Sequence, residues 1–302
     1  MAKESGARSD TARPSSSVTT PAVRLRGAGI RFADRELWGD LDIDVVPGEF
    51  LAVLGPNGSG KTTLLKVLLG LQELSSGTAE VGGRRPHLGS HLVGYVPQQK
   101  AFDRDLPIRG RDLVRLGLDG HRWLIGLPNA AVRHRVHEAI EAVGATAYAD
   151  APIGLLSGGE QQRLRLAQAL VGDPEVLLCD EPLLSLDLRR QQEAVELIDQ
   201  RRRANDTAVL FVTHEINPIL PFVDRVLYLV GNRWALGTLD EVLTGERLSQ
   251  LFGAPIDVVR VGGRVVIAGM PDEAHGEHGA AHHHHAADDD HEPPAGRWRP
   301  WA

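Results

Sequence analysis

The residues with the clearest chemical meaning lie in one glycine-rich stretch, GPNGSGKTT, which runs from Gly55 to Thr63. Glycines allow backbone N–H groups to turn inward around phosphate oxygens, and a helix that begins directly afterwards adds its positive end. In the pattern G-x-x-x-x-G-K-[ST], Lys61 reaches the outer phosphates and the Thr62 hydroxyl can bind Mg²⁺. The strand-like EFLAVLG before the stretch favours this interpretation over a glycine turn that only caps a helix. The predicted nucleotide-binding residues here are Gly55, Pro56, Asn57, Gly58, Ser59, Gly60, Lys61, Thr62 and Thr63.

Two acids follow a second apolar run in VLLCDEP, residues 176–182. An apolar strand that delivers acids at its carboxyl end places Asp180 to hold Mg²⁺, either directly or through water. Glu181 follows and could polarise the attacking water. Alone, such a pair usually faces solvent, but together with the phosphate loop it indicates hydrolysis of a nucleoside triphosphate.

The stretch LSGGEQQR, residues 156–163, separates the remaining classes of nucleotide hydrolase. Ser157, Gly158 and Gly159 precede a predicted helix and form a second edge that can bind phosphate. With this motif the chain resembles the nucleotide-binding subunits of ATP-binding cassette (ABC) transporters, whose signature is usually LSGGQ. Glu160 stands in the last position here. The resemblance implies that these four residues contact the γ-phosphate of an ATP held by the opposite subunit.

Further family positions occur in the expected order between residues 23 and 245. The resemblance implies that Phe32 stacks on adenine, although a phenylalanine in a strand core is the alternative. Gln98, chosen over Gln99 by the VPQ spacing, is expected to contact Mg²⁺ and the attacking water. Asp187 is expected at the dimer interface, and His214 at the γ-phosphate. The predicted catalytic residues are therefore Glu181, His214 and Gln98, and the predicted ligands of Mg²⁺ are Thr62, Gln98 and Asp180.

One phosphate loop and one signature motif cannot complete a site of this family within a single chain. The resemblance therefore implies a second copy of the chain in a head-to-tail pair with two ATPs between the copies. It also implies separate membrane permease subunits, docked near Gln98 and Asp103–Arg111, and an extracytoplasmic substrate-binding protein. The expected location is peripheral, on the cytoplasmic face of the cell membrane.

Strands alternate with helices along the chain, which predicts a mainly parallel sheet covered on both faces. The expected fold is an α/β P-loop ABC cassette with an antiparallel β region, a helical insert at about residues 101–156 and a β-hairpin at about 257–269. The body should span residues 23–270, between a disordered lead of residues 1–22 and a disordered tail of residues 271–302.

Charge and apolar patterning exclude several classes of protein. The net charge is −7, and the tail carries seven acids against two arginines, so the body is nearly neutral and offers no basic surface for nucleic acid. The apolar runs are of strand length and too short to span a bilayer. The single cysteine, Cys179, lies in an apolar run and cannot form a disulfide within the chain.

The tail contains HGEHGAAHHHHAADDDH, in which seven histidines stand beside several acids. This composition predicts weak, unselective binding of transition metals, while a purification tag and an incidental solvated end remain alternatives. The candidate metal-binding residues are His275, His278, His282, His283, His284, His285 and His291.

The segment from GYVPQQ to LPIRGRDLVRLGL resembles the ATPases of zinc and manganese importers, from which Arg109–Arg111 departs. The expected function is ATP-driven import of zinc or manganese. Import or export of another substrate, a non-transport ATPase acting on nucleic acid or ribosomes, and metal sequestration are the alternatives.

Overall fold

The computed structural model describes residues 20–33, 35–98, 102–119, 130–184 and 186–269. The strands are β1 (Val23–Phe32), β2 (Arg35–Val45), β3 (Phe50–Leu54), β4 (Ser76–Val81), β5 (Val93–Val96), β6 (Val176–Asp180), β7 (Ala208–Val212), β8 (Arg225–Val230), β9 (Arg233–Gly237), β10 (Asp257–Val261) and β11 (Arg264–Ala268). The helices are α1 (Lys61–Leu68), α2 (Gly110–Asp119), α3 (Ala130–Ala142), α4 (Gly158–Leu170), α5 (Leu188–Asn205), α6 (Leu239–Val242) and α7 (Gly245–Phe252).

The central sheet has the strand order β5-β6-β7-β3-β8-β9. Its pairs are parallel except for β8 with β9, which is antiparallel. Every residue of β3, β6 and β7 is buried, as expected for strands covered on both faces. The predicted α/β class with a mainly parallel core is confirmed.

Two cores lie on opposite faces of this sheet, and β3 contributes alternately to both. Phe50 and Ala52 belong to the core shared with the helical segment, whereas Leu51 and Val53 belong to the core shared with α1 and the antiparallel sheet. This alternation follows from the period of two along a strand. Strand β3 therefore ends between two packed layers, and the loop that follows it starts from a rigid position.

Two smaller antiparallel sheets flank the central one. The first has the order β2-β1-β4 and carries the buried Trp38. The second is the pair β10–β11, in which Gly262 and Gly263 both have positive φ, the backbone that a two-residue hairpin turn requires. This hairpin lies within residues 257–269, where the sequence indicated one.

The segment between β5 and β6 contains α2 and α3, followed by α4. Their apolar sides meet in one core, to which Val114, Val136 and Leu164 contribute. Within the described ranges, no helix combines the length and the apolar character needed to cross a bilayer. The predicted lead falls mostly on residues 1–19, and the histidine-rich tail on residues 270–302; both of these stretches lie outside the described residues.

Candidate nucleotide-binding site

The phosphate loop joins β3 to α1 and depends on glycines with positive φ. Gly55, Gly58 and Gly60 have φ of 141°, 74° and 94°. A Cβ atom on Gly55 would lie 2.0 Å from the carbonyl oxygen of Leu229 in β8. Because that oxygen belongs to the backbone of a buried strand, it cannot move away, and only glycine fits this position.

Lys61 forms hydrogen bonds with the backbone at the start of the phosphate loop. Its Nζ donates to the carbonyl oxygens of Gly55, at 2.6 Å, and Pro56, at 2.8 Å, and the residue is only 6% exposed. The first turn of α1 contains no acid, so the ammonium group and the positive end of the helix act together. The Ser59 hydroxyl is buried and has no hydrogen-bond partner within the described part of the chain. A polar atom without a partner in a positively charged loop fits the phosphate oxygens of ATP.

Thr62 and Asp180 bring two oxygen ligands together. The Thr62 hydroxyl donates to Asp180 Oδ1 at 3.1 Å, across the gap between α1 and the end of β6. Burial raises the pKa of Asp180, as does neighbouring Glu181, whereas the Thr62 hydrogen bond and the Lys61 charge lower it. Hydroxyl and carboxylate oxygens are ligands that Mg²⁺ prefers, so these two residues fit the ion expected with ATP.

Tyr95 is a neighbour of Asp180 that the sequence did not indicate. Burial raises the pKa of Tyr95 to about 12, and interaction with the Asp180 carboxylate contributes to the shift. Tyr95 reaches this place because β5 pairs in parallel with β6, where it lies opposite Leu178. The sequence contains no signal for that pairing, so this neighbour could not be identified in advance.

The three predicted catalytic residues lie together at the carboxyl ends of adjacent strands. Gln98 Nε2 donates to Glu181 Oε2 at 3.2 Å, and His214 Nδ1 lies 3.8 Å from the same oxygen. They follow β5, β6 and β7, which are consecutive in the sheet. Glu181 has a largely buried side chain and His214 a largely exposed one. The group thus presents a carboxylate, an amide and an imidazole at one edge of the sheet.

The backbone of Glu181 is strained. Its φ is 47°, in the left-handed region that non-glycine residues rarely adopt, and its N–H donates to the Val212 carbonyl at 3.0 Å. Strain of this kind persists only where surrounding structure holds it, and it is often found at functional sites. The bond to β7 and the hydrogen bond from Gln98 hold this carboxylate in place.

The signature residues form a capping box at the start of α4. Ser157 is the N-cap, and its hydroxyl accepts from the Glu160 N–H. Glu160 Oε2 in turn accepts from the Ser157 N–H at 2.8 Å and from the Ser157 hydroxyl at 2.7 Å. These hydrogen bonds lower the pKa of Glu160. Ser157 and Gly158 are exposed, whereas Gly159 is buried.

Asp187 is the N-cap of α5, without a reciprocal capping box. Its Oδ1 accepts from the Arg190 N–H at 2.9 Å, and its Oδ2 lies 3.3 Å from Arg190 Nε. A Cβ atom on Gly159 would lie 2.5 Å from Arg190 Nη1, so this guanidinium group covers the signature glycine. Arg190 is a second residue that the sequence did not indicate, because its position depends on how α4 and α5 pack.

Phe32 lies at the end of β1 and is 47% exposed, which argues against the strand-core alternative. Its partner in the register, Arg35, donates from Nη2 to the Gly58 carbonyl at 3.1 Å. Arg35 therefore links the antiparallel sheet to the phosphate loop, a contact that the sequence did not reveal.

The seven tail histidines lie outside the described residues. Within those residues, no group of three or more histidine, cysteine or acidic side chains could hold a metal ion.

Comparison with known proteins identifies similar chains. A family described as "ABC transporter" matches residues 38–184. The zinc transport system ATP-binding protein TroB of Treponema pallidum is 36% identical over 80% of this chain and 90% of its own length. The manganese transport system ATP-binding protein MntA of Synechocystis is 36% identical over 69% of this chain and 81% of its own length. A solved chain of an ABC transporter in an inward-facing conformation has a TM-score of 0.70 and 27% identity, covering 82% of this chain and 96% of that one.

Proposed function

The chain belongs to the ATP-binding proteins of the ABC transporter family, and we propose that it is the ATP-hydrolysing subunit of a zinc or manganese importer. The observation that carries this proposal is the meeting of Gln98, Glu181 and His214 beside the Thr62–Asp180 pair. Together with the phosphate loop, which anchors the phosphates, these five side chains supply what hydrolysis of a nucleoside triphosphate needs: oxygen ligands for a cation and a carboxylate that can face water.

The phosphate loop binds the triphosphate. Its glycine N–H groups and the Lys61 ammonium group donate to phosphate oxygens, which compete with the Gly55 and Pro56 carbonyls that Lys61 now contacts. Thr62 and Asp180 would hold Mg²⁺, which supplies positive charge to the β and γ phosphates when bound. We propose that the exposed ring of Phe32 stacks on adenine.

Glu181 orients the attacking water and accepts its proton. Its carboxylate is positioned by Gln98 Nε2 and by the strained backbone after β6, so the group is set before a nucleotide binds. His214, at 3.8 Å, can donate a hydrogen bond towards the γ-phosphate while remaining near Glu181. A group of this kind typically contributes about 100- to 10,000-fold to the rate.

A second copy of the chain completes the site. Ser157, Gly158, Glu160 and Asp187 belong to an exposed edge that would face the ATP of the opposite copy. Three exposed leucines flank that edge, namely Leu155, Leu184 and Leu188. Exposed apolar side chains around a polar edge are typical of a protein interface, which supports a head-to-tail pair.

The membrane partners are proposed to dock beside the same site. Gln98 and Asp103–Arg111 lead directly into α2, so a permease subunit bound here would contact the Glu181 group through Gln98. We propose that the chain lies on the cytoplasmic face of the membrane, with an extracytoplasmic substrate-binding protein on the other side. The near-neutral body gives no support for a nucleic-acid partner.

The metal substrate is supported by two separate observations. The relatives at 36% identity are named for zinc and for manganese transport. In addition, the tail carries seven histidines beside acids, a composition that binds transition metals through neutral imidazole. We assign the tail a metal-binding role that is separate from ATP hydrolysis.

The proposal is tested by Glu181→Gln in the purified protein and in cells that depend on the transporter for zinc or manganese. The variant should still bind ATP, but turnover should fall about 100-fold or more, because the carboxylate that accepts the proton is lost. Cellular metal uptake, measured by elemental analysis, should fall with it. Glu196→Gln, on the exposed side of α5, is the matched control and should behave as wild type.

Truncation after residue 270 distinguishes the role of the tail from that of the hydrolytic site in the same assays. ATP turnover should not change, whereas metal bound by the purified chain should fall. If Glu181→Gln cells lost uptake of another substrate while zinc and manganese uptake stayed unchanged, the substrate assignment would be overturned but the ATPase assignment would remain intact.

A further inference from the structure

Arg190 connects the two loops that the proposed function places at the dimer interface. Its Nε lies 3.3 Å from Asp187 Oδ2, and its Nη1 lies against Gly159 of the signature motif. Asp187 begins α5 and Ser157 begins α4, so the guanidinium group spans the starts of two helices. The neighbouring Arg189 is oriented differently, since its Nε pairs with Glu193 at 3.0 Å.

Glu160 creates an electrostatic problem at this edge. Its carboxylate accepts both the N–H and the hydroxyl proton of Ser157, at 2.8 and 2.7 Å. The Ser157 hydroxyl therefore points its proton at Glu160 rather than outward. This carboxylate, whose pKa is lowered, lies on the edge where the γ-phosphate of the opposite ATP is expected, and like charges repel.

We propose that Arg190 is a positioning residue that holds the signature and Asp187 loops in one arrangement and offsets the Glu160 charge as the opposite γ-phosphate arrives. This inference rests on the head-to-tail pair of the proposed function. Arg190 suits the role because a guanidinium group presents donors in fixed directions, and here its Nε faces the Asp187 carboxylate while its Nη1 lies beside Gly159. Its side chain is 48% exposed, so it can meet a phosphate brought by a second copy.

The experiment measures ATP-dependent dimerisation by sedimentation velocity in chains that also carry Glu181→Gln, which keeps ATP intact. Arg190→Ala should weaken the dimer about tenfold, because the charge that offsets Glu160 is lost at each of the two symmetric sites. ATP affinity of the monomer should not change. Arg190→Lys should weaken the dimer by an intermediate factor, since lysine keeps the positive charge but lacks the planar guanidinium donors. Arg189→Ala is the matched control and should dimerise normally.

The charge offset is tested separately by adding Glu160→Gln. If Arg190 acts against the Glu160 charge, Arg190→Ala should weaken the dimer only about twofold in this background. An undiminished tenfold effect would overturn the offset, and normal dimerisation of Arg190→Ala would overturn the whole inference. If the parent Glu181→Gln chain stays monomeric with ATP, the head-to-tail pair itself fails, and the role of Arg190 fails with it.

Discussion

Two loops of this chain precede helices and contain the glycines expected of phosphate-binding sites, yet their surroundings differ. The loop before α1 encloses the Lys61 ammonium group, which is almost completely buried, and the first turn of α1 has no acid. The loop before α4 is exposed at Ser157 and Gly158, and the first turn of α4 contains Glu160. One loop concentrates positive charge, whereas the other places a carboxylate beside its serine.

This difference explains how one motif can bind a nucleotide alone while the other contributes only within a dimer. At the phosphate loop, the helix end, the lysine and the Ser59 hydroxyl, which finds no partner among the described residues, all favour an anion. At the signature loop, the helix end favours an anion but Glu160 opposes it, and Arg190 contributes charge from a different helix. Binding there depends on an ATP that is already held by another copy.

The largest predicted contrast is between Gly55→Ala and Gly159→Ala. A methyl group on Gly55 meets a backbone oxygen at 2.0 Å with φ at 141°, so we expect a loss of about 3 kcal/mol or more in the free energy of unfolding. On Gly159 the methyl group meets only the flexible end of Arg190, and the loss should stay below about 1 kcal/mol. Urea unfolding of both variants measures the difference, and equal losses would contradict it.

The next contrast concerns nucleotide affinity, with Lys61→Ala compared with Ser157→Ala. Removal of the buried ammonium group should weaken ATP binding about 100-fold, which is the upper range for a charged hydrogen bond. Ser157→Ala should leave the affinity of the monomer within about twofold, since this serine is expected to meet only the ATP of a second copy. Calorimetric titration at concentrations where the chain is monomeric gives both values. A comparable loss in the two variants would mean that both loops bind the same ATP.

The sequence predicted the parts of the site that depend on strand ends. Buried strands at residues 50–54, 176–180 and 208–212 follow from their continuous apolar runs, and Asp180 and Glu181 follow from the acids at the carboxyl end of the second run, whereas His214 was expected from the family resemblance. Strand order and register are set by contacts between distant segments. Tyr95 and Arg35, which depend on that pairing, therefore had no local signal.

The packing of helices could not be predicted from the sequence either, although the sequence did carry one local signal for a contact in the signature loop. Arg190 reaches Gly159 only because α4 and α5 pack together, which no spacing within either helix reveals. By contrast, serine followed three residues later by glutamate is the pattern of a capping box, and it was readable at Ser157 and Glu160. Reading this pattern would have linked the acid to the serine before the structure was known.

The smallest predicted effect is that of Glu160→Gln, and it has opposite signs for stability and for dimerisation. A carboxylate in the first turn of α4 interacts with the helix end and the Ser157 donors, so its loss should cost about 0.5 kcal/mol at pH 7. Because these bonds lower the pKa of Glu160, the advantage of wild type is complete above the ordinary carboxyl range and is lost as pH falls through the lowered pKa. Thermal unfolding of wild type and Glu160→Gln at a series of pH values from 7 downwards measures this difference in stability.

ATP-dependent dimerisation should change in the other direction, because Glu160→Gln removes the charge that opposes the incoming γ-phosphate. We expect the dimer to strengthen about two- to fivefold at pH 7, the range for one exposed charge interaction. A weaker dimer would show that Glu160 assists phosphate binding. No corresponding substitution exists in the phosphate loop, where the first turn of α1 contains no acid and the buried lysine serves both the loop and the anion. In the signature loop, therefore, Glu160 stabilises the monomer and weakens the dimer, whereas the phosphate loop has no residue with such opposite effects.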